Sequence, residues 1–103
     1  MSVELIWLPD AENDLIEIYL TIALDSQAAA ERVYAAIKER ASLLSDQPRM
    51  GQRRRELAPP ARVLVVGAYL VLYKTHPDSD NVPVERIDVV RVVHGSRDLS
   101  RVF

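Results

Sequence analysis

His94, Arg97 and Asp98 are the residues of this chain whose types and spacing could do chemistry together. Histidine is the side chain whose unperturbed pKa lies nearest neutrality, so it can give or take a proton. Arginine is a permanent cation that fits anionic oxygens. Asp98 is close enough to pair with Arg97 or with a backbone N–H of its own turn. The group has two readings. It is an acid–base centre, or it is a structural and contact element in which His94, next to Gly95, caps the strand or bonds to the C-terminal tail.

The element that must present this group is the apolar, β-branched run before it, a strand predicted over residues 84–93. Strict alternation would place Ile87, Val89, Arg91 and Val93 on one face, with Asp88, Val90, Val92 and His94 on the other. Two more β-rich runs, residues 63–66 and 69–74, are separated by Gly67-Ala68, a Gly-X pair suited to a type II′ hairpin turn, which gives Gly67 a structural role. In the second run Tyr69, Val71 and Tyr73 share one face, and Leu70 and Leu72 the other. Residues 3–8 read as a first strand ended by Pro9, which cannot donate a ladder hydrogen bond.

Between these strands lie two amphipathic helices. Asp10 is the expected N-cap of the first, with Ala11, Leu15, Ile18, Tyr19 and Ile22 on its apolar face. Ser26 is the expected N-cap of the second, with Ala30, Val33, Tyr34, Ile37, Ala41 and Leu44 on one face and an end near Asp46. A link of one or two residues forces an antiparallel helical hairpin. Residues 48–60 read as a loop or irregular edge holding Gly51, a structural position, and the run Arg53-Arg54-Arg55. The order β-α-α-β-β-β predicts a single α+β domain, a helical hairpin packed on a small antiparallel sheet.

At 103 residues, 49 % hydrophobic and 27 % charged, the chain falls in the globular range, with one small core. The absence of cysteine excludes disulfides, Cys-based zinc sites and Cys nucleophiles. No apolar run approaches the roughly 20 residues that span a bilayer, and Met1-Ser2-Val3-Glu4 lacks the layout of a signal peptide. The expectation is a cytoplasmic chain that starts here and uses no cofactor and no metal. Its charge is uneven: residues 1–48 balance at −6 and residues 49–103 at +4. The strand-rich half is the one suited to an anionic partner.

The element order resembles the RelE/ParE superfamily of toxins from bacterial type II toxin–antitoxin systems. The resemblance rests on Ala11, Asp14-Leu15 and Ile18-Tyr19, on Pro48, Gly51, Glu56-Leu57 and Arg62, on Tyr69-Leu70-Val71-Leu72-Tyr73, and on Arg91 through Asp98. It covers nearly the whole chain, and it implies one fold with two activities. RelE-like members cut messenger RNA on the ribosome, whereas ParE-like members poison DNA gyrase by protein binding. The resemblance also implies a cognate antitoxin, a ParD-like ribbon-helix-helix protein whose C-terminal segment covers the toxin. A third reading is a non-toxic remnant that only binds its antitoxin.

For RNA cleavage through the 2′-hydroxyl, Glu56 would be the base, His94 the acid, and Arg62 and Arg97 the charge stabilisers. RelE-type nucleases commonly carry an arginine just before the aliphatic residues of the second hairpin strand, and here that position is Leu70. The stretch Gly51, Arg55-Glu56-Leu57, Arg62 and Gly67-Ala68-Tyr69 is also more similar to the ParE branch. The favoured reading is therefore a gyrase poison with no catalytic residues of its own, in which His94 and Asp98 are structural. Contacts to target or antitoxin are then assigned to Trp7, Tyr19, Arg53, Arg54, Arg55, Leu57, Arg62, Tyr69 and Arg97. For the arginine run three readings stand: a solvated loop, a dock for an acidic antitoxin segment, or phosphate contacts to gyrase-held DNA. Trp7, Tyr69 and Tyr73 have core packing as their default role.

Overall fold

The structure, a computed structural model, describes residues 3–100 and 102–103. Strand β1 (Glu4–Trp7) leads into helix α1 (Pro9–Ala23) and helix α2 (Gln27–Ser42), which closes in a 3-10 turn, Leu43–Ser45. Strands β2 (Gln52–Arg53), β3 (Arg62–Val66), β4 (Tyr69–His76) and β5 (Arg86–His94) follow. They form one five-stranded sheet in the order β1-β5-β4-β3-β2.

The local signals act as their chemistry requires. Ser26 caps α2 by accepting the Ala29 N–H at 3.1 Å. Gly67 takes φ 58° at the β3–β4 turn, where Val66 pairs with Tyr69, a conformation glycine adopts without a Cβ penalty. Asp10, however, is not the N-cap of α1. The helix starts at Pro9, whose fixed φ suits the first helical position, so Leu8 is the N-cap without a side-chain bond and Asp10 sits in the first turn.

The sheet is mixed rather than antiparallel. Strand β5 spends one edge on β4, and β1 takes the other edge in parallel, Glu4 opposite Arg86 through Trp7 opposite Val89. The helical hairpin lies within the long crossover that a parallel pair demands. At the other side β2 pairs only Gln52 with Val63 and Arg53 with Arg62. The outer edge of β3 at residues 64–66 therefore has no strand against it among the described residues, and Val65 is 61 % exposed.

Alternation in β5 breaks at one position. Leu72 pairs with Arg91 while Tyr73 pairs with Val89, so Val90 has no partner across the ladder and forms a β-bulge. The bulge changes which residues share a face. Ile87, Val89 and Val92 all pack into the helix-side core with Ala11, Leu15, Ile37 and Leu44, whereas Val93 turns to the opposite face. That opposite face is covered not by a helix but by the tail: Leu99, Val102 and Phe103 pack with Val63, Leu72 and Val93.

The loop before β3 is latched by one phenol. The buried Tyr73 hydroxyl accepts the Gly51 N–H at 2.8 Å and donates to Pro48 O at 2.9 Å, while Arg62 Nη1 donates to Gly51 O at 3.1 Å. Gly51 is glycine because a Cβ there would lie 2.6 Å from the Tyr73 ring and hydroxyl.

Candidate functional site

The bulge, the end of β1 and helix α1 together build a cleft at the C-terminal end of β5. Strand β1 stops opposite Val89, where Leu8 N–H still donates to Val89 O at 3.0 Å. Beyond that point a side chain replaces the missing strand: Asp14 of α1 accepts the Val92 N–H at 2.9 Å and holds Arg91 through two bonds of 2.7 and 3.0 Å. The Asp14 hydrogen bond, opposed by burial and aided by nearby Asp10 and Glu17, raises the Arg91 pKa still further. The resulting open cleft, about 340 Å³, is lined by Glu17, Ile18, Tyr69, Val92, His94 and Arg97 among others.

His94 is exposed at its rim. Its ring meets Tyr69 edge-on at 5.5 Å, and Nδ1 accepts the Ser96 N–H at 3.1 Å and lies 2.8 Å from Ser96 Oγ. That bond puts the proton of the neutral ring on Nε2. Asp98 accepts the Ser100 N–H at 3.0 Å, which holds its carboxyl below the usual range, so it tightens the tail turn.

The four residues that a ribonuclease would combine are split between two places. His94 and Arg97 share the cleft. Glu56 lies in the turn after β2, exposed and bonded to Arg54 at 2.9 Å, which lowers its pKa and makes it a weaker base. Arg62 is 5 % exposed and stands opposite Tyr73, whereas His94 stands opposite Tyr69. Four steps along β4, from Tyr69 to Tyr73, separate the two positions, on the order of 13 Å. The acid groups that do border the cleft are Asp14 and Glu17. Leu70 belongs to the tail-covered face, so position 70 does not point into the His94 cleft at all.

The arginine run is equally divided. Arg53 is partly buried against Asp78 (2.9 Å) and Asp80 (3.4 Å), Arg54 pairs with Glu56, and Arg55 is exposed. Arg62 also reaches Asp80, at 2.7 Å. Desolvation pushes the Asp80 carboxyl up, but Arg53, Arg62 and Arg49 outweigh it and hold the group below the usual range. The Asp80 ion pairs are thus complete above the ordinary aspartate pKa and come apart only as the pH falls below it.

Of the apolar candidates, Trp7 is roofed by Lys38, whose Nζ lies 4.4 Å above the ring, and Leu57 packs against the tail cluster. Tyr69 is in the cleft. Tyr19 meets Tyr34 of α2 edge-on at 6.2 Å and borders a purely apolar hollow of about 270 Å³ with Ile16 and Leu20, which are 54 % and 58 % exposed. Ile16 and Leu20 stand outside the apolar stripe of α1 formed by Ala11, Leu15, Ile18, Tyr19 and Ile22. Their i, i+4 spacing beside the core stripe was the available signal.

Among the described residues no group of three or more His, Cys, Asp or Glu could hold a metal ion, and no helix is long and apolar enough to cross a membrane. A family model described as "ParE toxin of type II toxin-antitoxin system, parDE" matches residues 5–99. A solved structure described as "Chromosomal ParDE TA system from P. aeruginosa" superposes with a TM-score of 0.71 at 21 % identity, covering 90 % of this chain and 96 % of that one. No curated protein matches the sequence.

Proposed function

The chain belongs to the ParE toxin family of type II toxin–antitoxin systems, and from that premise we infer that it acts in the cytoplasm by binding DNA gyrase, without nuclease chemistry. One observation carries the choice of activity. Glu56 and Arg62 lie away from His94 and Arg97, and the cleft that holds the latter pair is bordered by Asp14 and Glu17. A scissile phosphate would meet one cation there, Arg97, beside the Glu17 carboxylate, with Asp14 already taken up by Arg91, and not the paired cations and separate base that its transition state requires.

The test is a side-by-side assay of purified toxin against gyrase supercoiling and against ribosome-bound message. Inhibited supercoiling with intact message supports the reading, and codon-dependent cleavage overturns it. His94→Ala should leave toxicity within about twofold of wild type, because the residue is not asked to supply the hundredfold or more of a general acid. A folded His94→Ala protein that has lost toxicity would restore the catalytic reading. Harmless expression of the intact chain would instead identify a non-toxic remnant.

The inferred partner is a ParD-like antitoxin whose C-terminal segment docks an amphipathic helix. The hollow between Ile16, Tyr19, Leu20 and Tyr34 suits apolar anchors at i, i+3 and i+4. Leu20→Asp changes an exposed position, so folding should survive while antitoxin affinity falls by about ten- to a hundredfold, read by calorimetric titration. Unchanged affinity would remove this hollow from the interface.

A further inference from the structure

The loop between β4 and β5, residues 77–83, lies against an arginine cluster. Its base is closed by Glu85 N–H donating to His76 O at 2.8 Å, and all of it except Ser79 is exposed. What holds it down is charge. Arg62, Arg53 and Arg49 all aim at one oxygen, Asp80 Oδ1, at 2.7, 3.4 and 3.9 Å. Arg53 also takes Asp78 at 2.9 Å, and Arg49 donates to the carbonyl oxygens of Ser79 and Val82.

The cluster has more donors than the strap has acceptors. Three guanidiniums face two carboxylates, and the buried Nε atoms of Arg53 and Arg62 have no hydrogen-bond partner. Arg62 is 95 % buried, so this capacity is built into the fold beneath the strap, not spread over a solvated surface. A single carboxylate oxygen cannot serve three forked donors. A phosphate group, with its charge shared over several oxygens, matches forked guanidiniums better than one carboxylate does.

We propose that Arg49, Arg53 and Arg62 form a phosphate-binding site which the strap at residues 77–83 occupies with its own carboxylates, so that phosphate enters only when the strap lifts. The strap is an internal competitor. Asp80, 55 % exposed, is the group a solvent phosphate would displace. The site is separate from the His94 cleft, and the proposal does not depend on which target the toxin poisons.

The test is the double variant Asp78→Asn with Asp80→Asn, compared with wild type and with the same variant carrying Arg53→Ala. Two probes are used: a short fluorescein-labelled single-stranded DNA followed by anisotropy, and inorganic phosphate followed by thermal melting against chloride at matched ionic strength. Removing the competing carboxylates should tighten DNA binding by at least about tenfold, with a steeper salt dependence, and Arg53→Ala should abolish the gain. DNA binding that inorganic phosphate competes away identifies a nucleic-acid backbone as the phosphate source. A melting rise in phosphate without a DNA gain identifies free phosphate. Should the double variant not fold in chloride, because the buried Arg62 charge is left without a counter-charge, restoration of folding by phosphate supports the site. No DNA gain together with no effect of phosphate on melting or folding overturns it, leaving the strap a structural clasp.

Discussion

Asp14→Ala should lower stability by about 3 kcal/mol. Three bonds disappear at once. Arg91 loses both of its short bonds, and the Val92 N–H, with no strand beyond it on that edge, loses its acceptor. Both side chains are mostly buried, with 12 % and 21 % of their surfaces exposed, so water replaces these bonds only in part. For a domain of this size the loss corresponds to a fall in melting temperature on the order of 15 °C. Asp14→Asn retains one acceptor for Val92 and loses the charge, so it should cost roughly half as much. Urea unfolding measures both. A midpoint for Asp14→Ala within about 0.5 kcal/mol of wild type would mean that Asp14 does not complete the sheet.

Gly51→Ala should cost a similar amount, about 3 kcal/mol, by a steric route. The added methyl carbon would sit 2.6 Å from the Tyr73 ring and hydroxyl and 2.9 Å from Val63 O. Tyr73 is wholly buried and anchors the latch between Pro48 and Gly51, so it cannot swing aside without breaking two hydrogen bonds. Tyr73→Phe alone should cost about 1–3 kcal/mol, since it orphans the Gly51 N–H and Pro48 O. The two substitutions should not add. Removing the hydroxyl relieves part of the clash, so the double variant should be at least about 1 kcal/mol more stable than the sum of the singles predicts. Full additivity in a double-mutant cycle would show that the clash is absorbed elsewhere.

The two helices and the four longer strands could be read from the chain because each is specified locally, whereas the two-residue β2, Gln52–Arg53, falls in the stretch read as a loop or irregular edge. Ser26 before a periodic apolar face, Pro9 after a β-rich run and Gly67-Ala68 between two strands are signals within a few residues of the structure they make. Pairing is different. Nothing near Glu4 says that it will lie parallel to Arg86, because that choice depends on which edge of β5 is left open. The bulge was hidden for a related reason: Val89-Val90-Arg91-Val92-Val93 has valines in both phases, so alternation cannot locate the extra residue.

The site was partly legible for the same reasons. His94 and Arg97 are close in sequence and share the cleft, whereas Asp98 turns to the Ser100 N–H. Glu56 and Arg62 could be grouped with them by residue type only, and the register of β3 and β4 separates them. The two strongest polar constellations join residues far apart, Asp14 with Arg91 and Asp80 with Arg53 and Arg62, so no window along the chain contains either.

The bare edge of β3 has a consequence for handling the free protein. Residues 64–66 present backbone donors and acceptors beside an exposed Val65, and none of the three is a lysine, proline or other residue that discourages pairing. A second copy meeting this edge would find its hydrogen-bonding template already extended. Self-association through this edge is therefore the expected limit on the concentration at which the isolated chain stays monodisperse.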